Sequence, residues 1–453
     1  MPLVPRLAAR LAAACLVLAG CAAPAGAQPD FSAVDALMAD SLARIGGGAV
    51  VRVVRADTVV FERAYGTFAT GEVVDLASAT KWMSGAVMMS LVDSGHLTLG
   101  SPLSDFFPDL TGPRRGITVR QLFSHTSGIV SPQGKACLTD RTTTLAACAA
   151  ETLARPLRFA PGAGFFYGGG SMQVAGRVAE IASGQPWATL FAERITGPLA
   201  MTDTAYLSAT NPWIGGGLRS TAADYTAFLQ MVLNGGTHRG VRVLSEASIA
   251  AMLADQSGVE SGAVPVLFSP FTRYAATDPD LPAGALGYGV GVWREQFSAP
   301  GVLRHASSLG AFGFSPWADL ERRLGGALVV RDDGPDVFPT YLELKRRLGA
   351  ALDAAATPAD VAPPEASAPR LDAPAPNPAA GRATLRFWLP APAHVRVDAL
   401  DVRGRTVATL AEGARGAGAH AATWDASDIA RGLYVVTLRV DGAVAAQQRL
   451  VVR

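Results

Sequence analysis

The stretch from Ala350 to Pro378 constrains the fold of this chain most, because Ala and Pro (Pro363-Pro364, Pro369, Pro374, Pro376 and Pro378) displace the spaced apolar residues from which a core is built. Proline lacks a backbone N–H and fixes φ, so neither a helix nor a central strand runs through such a segment, and it reads as an extended linker. What lies before it and what lies after it must bury their apolar surfaces separately. The 453 residues, 49% hydrophobic, carry enough apolar surface for two or three domains. We place a signal segment at 1–27, a first domain at 28–355, the linker at 356–374 and a second domain at 375–453.

The signal assignment rests on Arg6 and Arg10, the apolar run Leu11 to Gly20, and Ala25-Gly26-Ala27 as a small-residue cleavage site. The expected mature chain starts near Gln28 and is exported. Leu18-Ala19-Gly20-Cys21 offers a second processing signal, in which Cys21 would be acylated and the product would be a lipoprotein; the Ala27 site is preferred because of the carboxy-terminal domain described below. No later segment has the roughly 20 uninterrupted apolar residues of a membrane-spanning helix.

Beyond the signal only Cys137 and Cys148 remain, and in an exported chain two cysteines at that separation suggest one disulfide. It would close a short loop and contribute about 2–3 kcal/mol by chain entropy. Two buried free thiols are the alternative. Six scattered histidines and two cysteines show none of the usual metal-ligand spacings, and no cofactor is implied. A net charge of +1 without a run of one sign gives no reason to propose a nucleic acid or an anionic membrane as partner.

Of 39 basic residues only three are lysines: Lys81, Lys135 and Lys345. Arginine serves surface charge equally well and is never deprotonated in a protein, whereas a buried lysine can lose its proton and act as a base. Lys81 follows Ser78 by three residues in Leu76-Ala77-Ser78-Ala79-Thr80-Lys81-Trp82-Met83, a spacing that puts hydroxyl and amine on one helical face. A Ser-x-x-Lys pair alone is a weak signal, since composition supplies one in most chains of this size. Its setting strengthens it: from Thr80 to Val92 the run is almost wholly apolar, which predicts a buried helix stopped near Gly95, and burial disfavours the charged amine.

Around this helix the first domain opens with a helical stretch near Phe31 to Ile45 and a hairpin, Ala49 to Val54 and Thr58 to Phe61, turning at Arg55-Ala56-Asp57. Helical patterns run from Ser78 to about Leu253. Strands return at Gly287 to Trp293 and Gly325 to Val330, and a last helix, Pro339 to Ala355, packs back on the sheet. The reading is α+β: an antiparallel sheet, a helical subdomain, and a site between them.

Four ordered segments resemble the serine β-lactamase and penicillin-binding-protein superfamily, in its class C-like branch of esterases and peptidases. They are Ser78-Ala79-Thr80-Lys81; Ile117 to Gly128, containing Ser124-His125-Thr126-Ser127-Gly128; Pro161-Gly162 with Tyr167; and Gly216 to Tyr225. The resemblance covers residues 31 to 355 and implies the β-lactamase/transpeptidase-like fold, with Ser78 attacking an ester or amide carbonyl to form an acyl-enzyme that water hydrolyses. Lys81 and Tyr167 would share the proton traffic, either one serving as base. Where relatives have Tyr-x-Asn, this chain has Tyr167-Gly168-Gly169, so a polar contact to substrate is lost and amide side-chain recognition should weaken. The third motif, on an edge strand in relatives, is best matched by His305-Ala306-Ser307, with Ser308 as an alternative register; His305 would orient a substrate carboxylate or satisfy a local hydrogen bond, and the strand would lend an oxyanion donor beside Ser78. His125 belongs to a turn outside the proton relay.

Residues 375–453 alternate apolar and polar positions in Ala383 to Leu389, Val395 to Leu400 and Gly432 to Val440, the pattern of a small all-β, Ig-like sandwich. Pro376-Asn377-Pro378, Asp401-Val402-Arg403-Gly404-Arg405, Gly432-Leu433-Tyr434 and Leu450-Val451-Val452-Arg453 resemble the type A sorting domain of the type IX secretion system. That resemblance implies the type IX machinery as partner and a secreted or cell-surface destination; a carbohydrate- or wall-binding sandwich is the competing reading. The expected activity is an exported serine hydrolase acting on a small-molecule ester, amide or peptide. Its alternatives are a D-amino-acid peptidase or β-lactamase, and a surface binding protein that has lost turnover through Gly169 and Ser307.

Overall fold

The computed structural model describes residues 28–131, 137–270, 286–299, 301–332, 336–355, 369–372, 374, 377–379 and 381–453. The signal segment, with Cys21, and most of the linker lie outside these residues. The chain divides into two compact units, Phe31–Gly349 and one containing Ala350–Arg453.

In the first unit β-branched alternation builds β1 (Gly48–Arg55) and β2 (Thr58–Gly66), joined at Ala56, whose φ is 48°. Five further strands, β3 (Gly287–Tyr288), β4 (Trp293–Ala299), β5 (Val302–Ser307), β6 (Ser315–Asp319) and β7 (Leu324–Val330), complete an antiparallel sheet in the order β3-β4-β5-β6-β7-β1-β2. β1 pairs along β7, Val50 opposite Val329, so the helices between residues 66 and 287 are inserted between the two halves of one sheet. β5 lies third from the sheet end, hydrogen-bonded to β4 and β6. This corrects the expected edge position: β3 and β4 continue the sheet beyond it.

The helices that matter for the site are α1 (Ser32–Ser41), α2 (Thr80–Asp93), α3 (Gly170–Ser183), α4 (Ala222–Leu233) and α5 (Val337–Ala355). Every residue of α2 from Thr80 to Leu91 is buried, as its unbroken apolar run requires. Its approach to the β3–β4 connection is so close that a Cβ on Gly85 would lie 2.2 Å from the Val290 carbonyl oxygen. The helix ends where Gly95 takes φ 72° and its N–H reaches Val92 O at 3.0 Å. One core runs from α2 through Trp82 and Phe228 into the sheet at Val50, Ala327 and Val329.

In the second unit two sheets face one another. β8 (Arg370–Leu371), β9 (Arg382–Leu389) and β12 (Gly418–Asp425) form one; β10 (Ala393–Leu400), β11 (Thr406–Arg415), β13 (Gly432–Val440) and β14 (Ala443–Val452) form the other. Their inner faces bury Leu385, Phe387, Trp424, Val397, Val436 and Leu450. Asp401 caps its own turn, accepting from Arg403 N at 2.9 Å and Arg405 N at 3.0 Å. This is the small all-β, Ig-like domain expected of the alternation. Among the described residues no helix is long and apolar enough to cross a membrane.

Candidate active site

Ser78 sits in a single 3-10 turn, Ala77–Ala79, that runs into α2, and Ala77 before it takes φ 44°. A left-handed non-glycine residue costs on the order of 1 kcal/mol and persists only where its surroundings impose it. Here they do: the Tyr225 hydroxyl of α4 donates to Ala79 O at 2.7 Å, and Thr80 Oγ1 accepts from Leu218 N at 3.1 Å. The turn leaves Ser78 partly exposed while Lys81 is buried one helical step away. Lys81 Nζ donates to Ser78 Oγ at 2.9 Å and to Gly215 O at 2.6 Å, and stands 4.8 Å from the centre of the Tyr167 ring.

Tyr167 lies just before the first turn of α3, and its N–H is held by Phe268 O at 3.1 Å. Ser78 and the Trp293 indole stand near its hydroxyl and favour its ionised form. The ring keeps some surface open, but the protein packed around the hydroxyl desolvates it, and this pushes the phenol up to about 12 against the lowering influence of Ser78 and Trp293. Tyr167 is therefore a phenol, not a phenolate, across the ordinary pH range. The structure thus brings Ser78, Lys81 and Tyr167 together although they come from a turn, a helix and a loop.

His125, which the sequence places in a structural turn, stands directly behind this group. Its ring centre is 4.6 Å from that of Tyr167 and 4.7 Å from that of Tyr288, with Phe165 at 5.7 Å. Both ring nitrogens are buried without a hydrogen-bond partner. Burial first, and the nearby Lys81 charge second, hold its pKa well below the usual histidine range. A neutral imidazole thus serves as one wall of an aromatic box around Tyr167, completed by Tyr288 and Trp293. Nothing in sequence spacing pointed to that box, since its members come from three separate segments.

His305 and Ser307 do not face the cleft. Successive residues of a strand point to opposite faces, and these two point toward α5. His305 Nε2 is 2.9 Å from Asp319 Oδ2, and Ser307 is fully buried beside Glu295 and Tyr341. There Lys345 forms a buried ion pair with Glu295, which also accepts from the Tyr341 hydroxyl at 2.9 Å. Burial, the largest single influence, opposes the Glu295 charge, but Lys345, His305 and Ser307 together outweigh it and the carboxyl stays below its usual range. One position past the strand, at the alternative register, the Ser308 hydroxyl donates to Ser78 O at 3.1 Å. At the His305-Ala306-Ser307 register the polar side chains lie behind the sheet, whereas the alternative register at Ser308 meets the Ser78 turn.

Gly169 caps the start of α3, its N–H donating to Ser131 Oγ at 2.8 Å. A disulfide joins Cys137 and Cys148 (Cα–Cα 5.3 Å), and together with Leu138 it packs against Trp213. No cluster of metal-ligating side chains occurs among the described residues.

Residues 34–351 match the model of the β-lactamase family, and residues 375–453 match that of the secretion system C-terminal sorting domain. The chain is 27% identical over 292 residues to the D-alanyl-D-alanine-carboxypeptidase/endopeptidase AmpH of Escherichia coli (strain K12), covering 58% of this chain and 71% of that protein. It is 29% identical over 187 residues to Esterase EstB of Burkholderia gladioli, covering 36% and 47%. The crystal structure of a β-lactamase candidate from Bacteroides dorei DSM 17855 is 31% identical and superposes with a TM-score of 0.60, over 70% of this chain and 98% of that one. The chain spans about six tenths of the length of the curated relatives it matches at 31% identity. With a family model spanning most of its length and the fold to match, the chain belongs to the β-lactamase family and carries a secretion-system sorting domain at residues 375–453.

Proposed function

We propose that this protein is an exported serine hydrolase that cleaves a small ester through an acyl-enzyme on Ser78. The observation that carries the reading is the 2.9 Å hydrogen bond from Lys81 Nζ to Ser78 Oγ, with the Tyr167 ring centre 4.8 Å from the same amine. In the reactive state Lys81 is the neutral amine and Ser78 donates to it. Ser78 Oγ attacks the carbonyl carbon as its proton passes to Lys81 Nζ, and the carbonyl oxygen becomes an oxyanion facing the Ser78 backbone N–H. Collapse expels the alcohol, which takes a proton from Lys81 through the Tyr167 phenol. Water then adds to the acyl carbon as its proton passes to Lys81 Nζ, and collapse breaks the bond to Ser78 Oγ, which takes that proton back as the carboxylic acid departs. A phenol near pKa 12 relays protons but does not hold a negative charge at neutral pH, so Lys81 is assigned as base and Tyr167 as relay.

Similarity to a named esterase and the missing Asn side chain at Gly169 support the ester as substrate. The second reading, a peptidase on D-amino-acid peptides, is favoured by the longer alignment with AmpH. The sorting domain supports export to the surface or the medium through the type IX machinery. Steady-state hydrolysis of 4-nitrophenyl acetate by the full chain tests the proposal: turnover by wild type and none by Ser78→Ala is expected. Equal rates for the two would refute it, and stoichiometric acylation by benzylpenicillin, with no ester turnover, would move the assignment to the peptidase reading.

A further inference from the structure

The departure from Tyr-x-Asn at Gly169 is matched by a bulky residue from another part of the chain. A Cβ on Gly169 would lie 3.0 Å from Trp213 Nε1, so the indole edge stands where a side chain at 169 would begin. This point belongs to the active site: a Cβ on Gly215 would lie 3.2 Å from Gly169 Cα and 3.5 Å from Lys81 Nζ. The indole is held there from three sides. The turn that carries it is closed by Gly216 N and Gly217 N, donating to Trp213 O at 3.0 and 2.8 Å, and the same turn offers Gly215 O to Lys81. Gly216 makes room for the ring, since a Cβ there would sit 2.6 Å from it. Behind it the disulfide-linked Cys137 and Cys148, with Leu138, form an apolar backing. Trp213 is only partly buried, so part of its surface faces outward.

We propose that Trp213 is the specificity-determining residue of this cleft, giving it an indole wall that selects acyl groups with a flat apolar skeleton, aromatic above all, over acyl groups bearing an amide. The inference rests on the assignment of Ser78 as nucleophile. An aromatic wall stacks against a flat apolar acyl group and adds to the contact that burial alone would give. An acylamino group placed against it has its N–H and C=O stripped of water, and with glycine at 169 no side chain there replaces the lost hydrogen bonds. The loop tied by Cys137–Cys148 is then part of the specificity device, because it fixes the rear of the indole.

Two esters with one leaving group read this directly: 4-nitrophenyl benzoate and 4-nitrophenyl N-acetylglycinate, with the full-length protein. Wild type is expected to favour the benzoate in kcat/KM by on the order of tenfold or more. Trp213→Ala should erase about tenfold of that ratio, and Trp213→Phe, which keeps an aromatic wall, should retain most of it. Gly169→Asn, which drives a side chain into the indole edge, should shift the ratio in the same direction as Trp213→Ala. A ratio unchanged by Trp213→Ala and by Gly169→Asn, with both esters still cleaved, overturns the inference and leaves the Ser78 assignment standing. A wild-type preference for the acetylglycinate also overturns it. If wild type cleaves neither ester faster than Ser78→Ala, both the inference and the hydrolase reading fall.

Discussion

Two buried lysines on opposite sides of one sheet show how the same side chain is put to different ends. Behind the sheet, Lys345 faces the Glu295 carboxylate and the Tyr341 hydroxyl, and the charge on each partner is answered by the other. In front, Lys81 donates to a serine hydroxyl and a backbone carbonyl and lies over the face of a phenol. A carboxylate locks an ammonium in its charged form, whereas neutral acceptors let a desolvated amine give up its proton and take another from a substrate-directed hydroxyl. On the proposed mechanism one lysine stabilises, while the other, in the first turn of α2, serves Ser78 as base.

The sharpest break of this comparison is at the front. Lys81→Met and Ser78→Ala are each expected to lower kcat by on the order of 10³-fold or more, with the urea midpoint held or raised. A Lys81→Met protein that unfolds markedly earlier would make Lys81 a structural residue like Lys345. At the back the order reverses: Lys345→Met strands the Glu295 carboxylate in the interior and should cost about 3–5 kcal/mol of stability, while the kcat of the protein that remains folded changes little. Equal losses of activity and stability at both lysines would erase the distinction.

Next in size is Tyr167→Phe, expected to lower kcat about a hundredfold, with KM near its wild-type value, as for loss of one proton relay. Ultraviolet titration should show no tyrosinate from this residue below about pH 11, given its pKa of about 12. An ionisation near pH 8 removed by Tyr167→Phe would make the phenolate the base. Smaller still is Cys137→Ser with Cys148→Ser, which should cost about 2–3 kcal/mol by loop entropy and loosen the indole backing.

Acid should act through the histidines. His125 and His305 both have folded-state pKa values below their unfolded value of about 6.5, so the unfolded chain binds protons first and stability falls as pH drops through that value. Asp319, held below the usual carboxylate range by the His305 and Arg322 hydrogen bonds despite burial, adds a further loss only below about pH 4. His125→Phe should blunt the first phase, and a midpoint independent of pH between 5 and 7 in wild type would contradict the assignment of neutral buried rings.

Legibility in the sequence followed the range of the contact. The Ser78–Lys81 pair is local, fixed by helical periodicity, and the apolar run behind it announced a buried helix. The β-sandwich is legible from the alternation of Arg382–Leu389, whereas Thr406–Arg415 and Gly418–Asp425, rich in small residues, carry too little hydrophobic contrast to signal a strand. At β5 a single residue of register separated His305 and Ser307 from Ser308, and in a strand one residue exchanges the faces. The indole wall of Trp213 and the packing of His125 on Tyr167 were not legible, because their neighbours in space lie far away along the chain.

The most direct test of the central claim is intact-mass spectrometry of the full chain after exposure to a fluorophosphonate, with Ser78→Ala in parallel. The account predicts one phosphonyl adduct per wild-type molecule, none on Ser78→Ala, and labelling that slows greatly in Lys81→Met. Folded wild type that stays unlabelled, or an adduct that persists in Ser78→Ala, would contradict the assignment of Ser78 as an activated nucleophile.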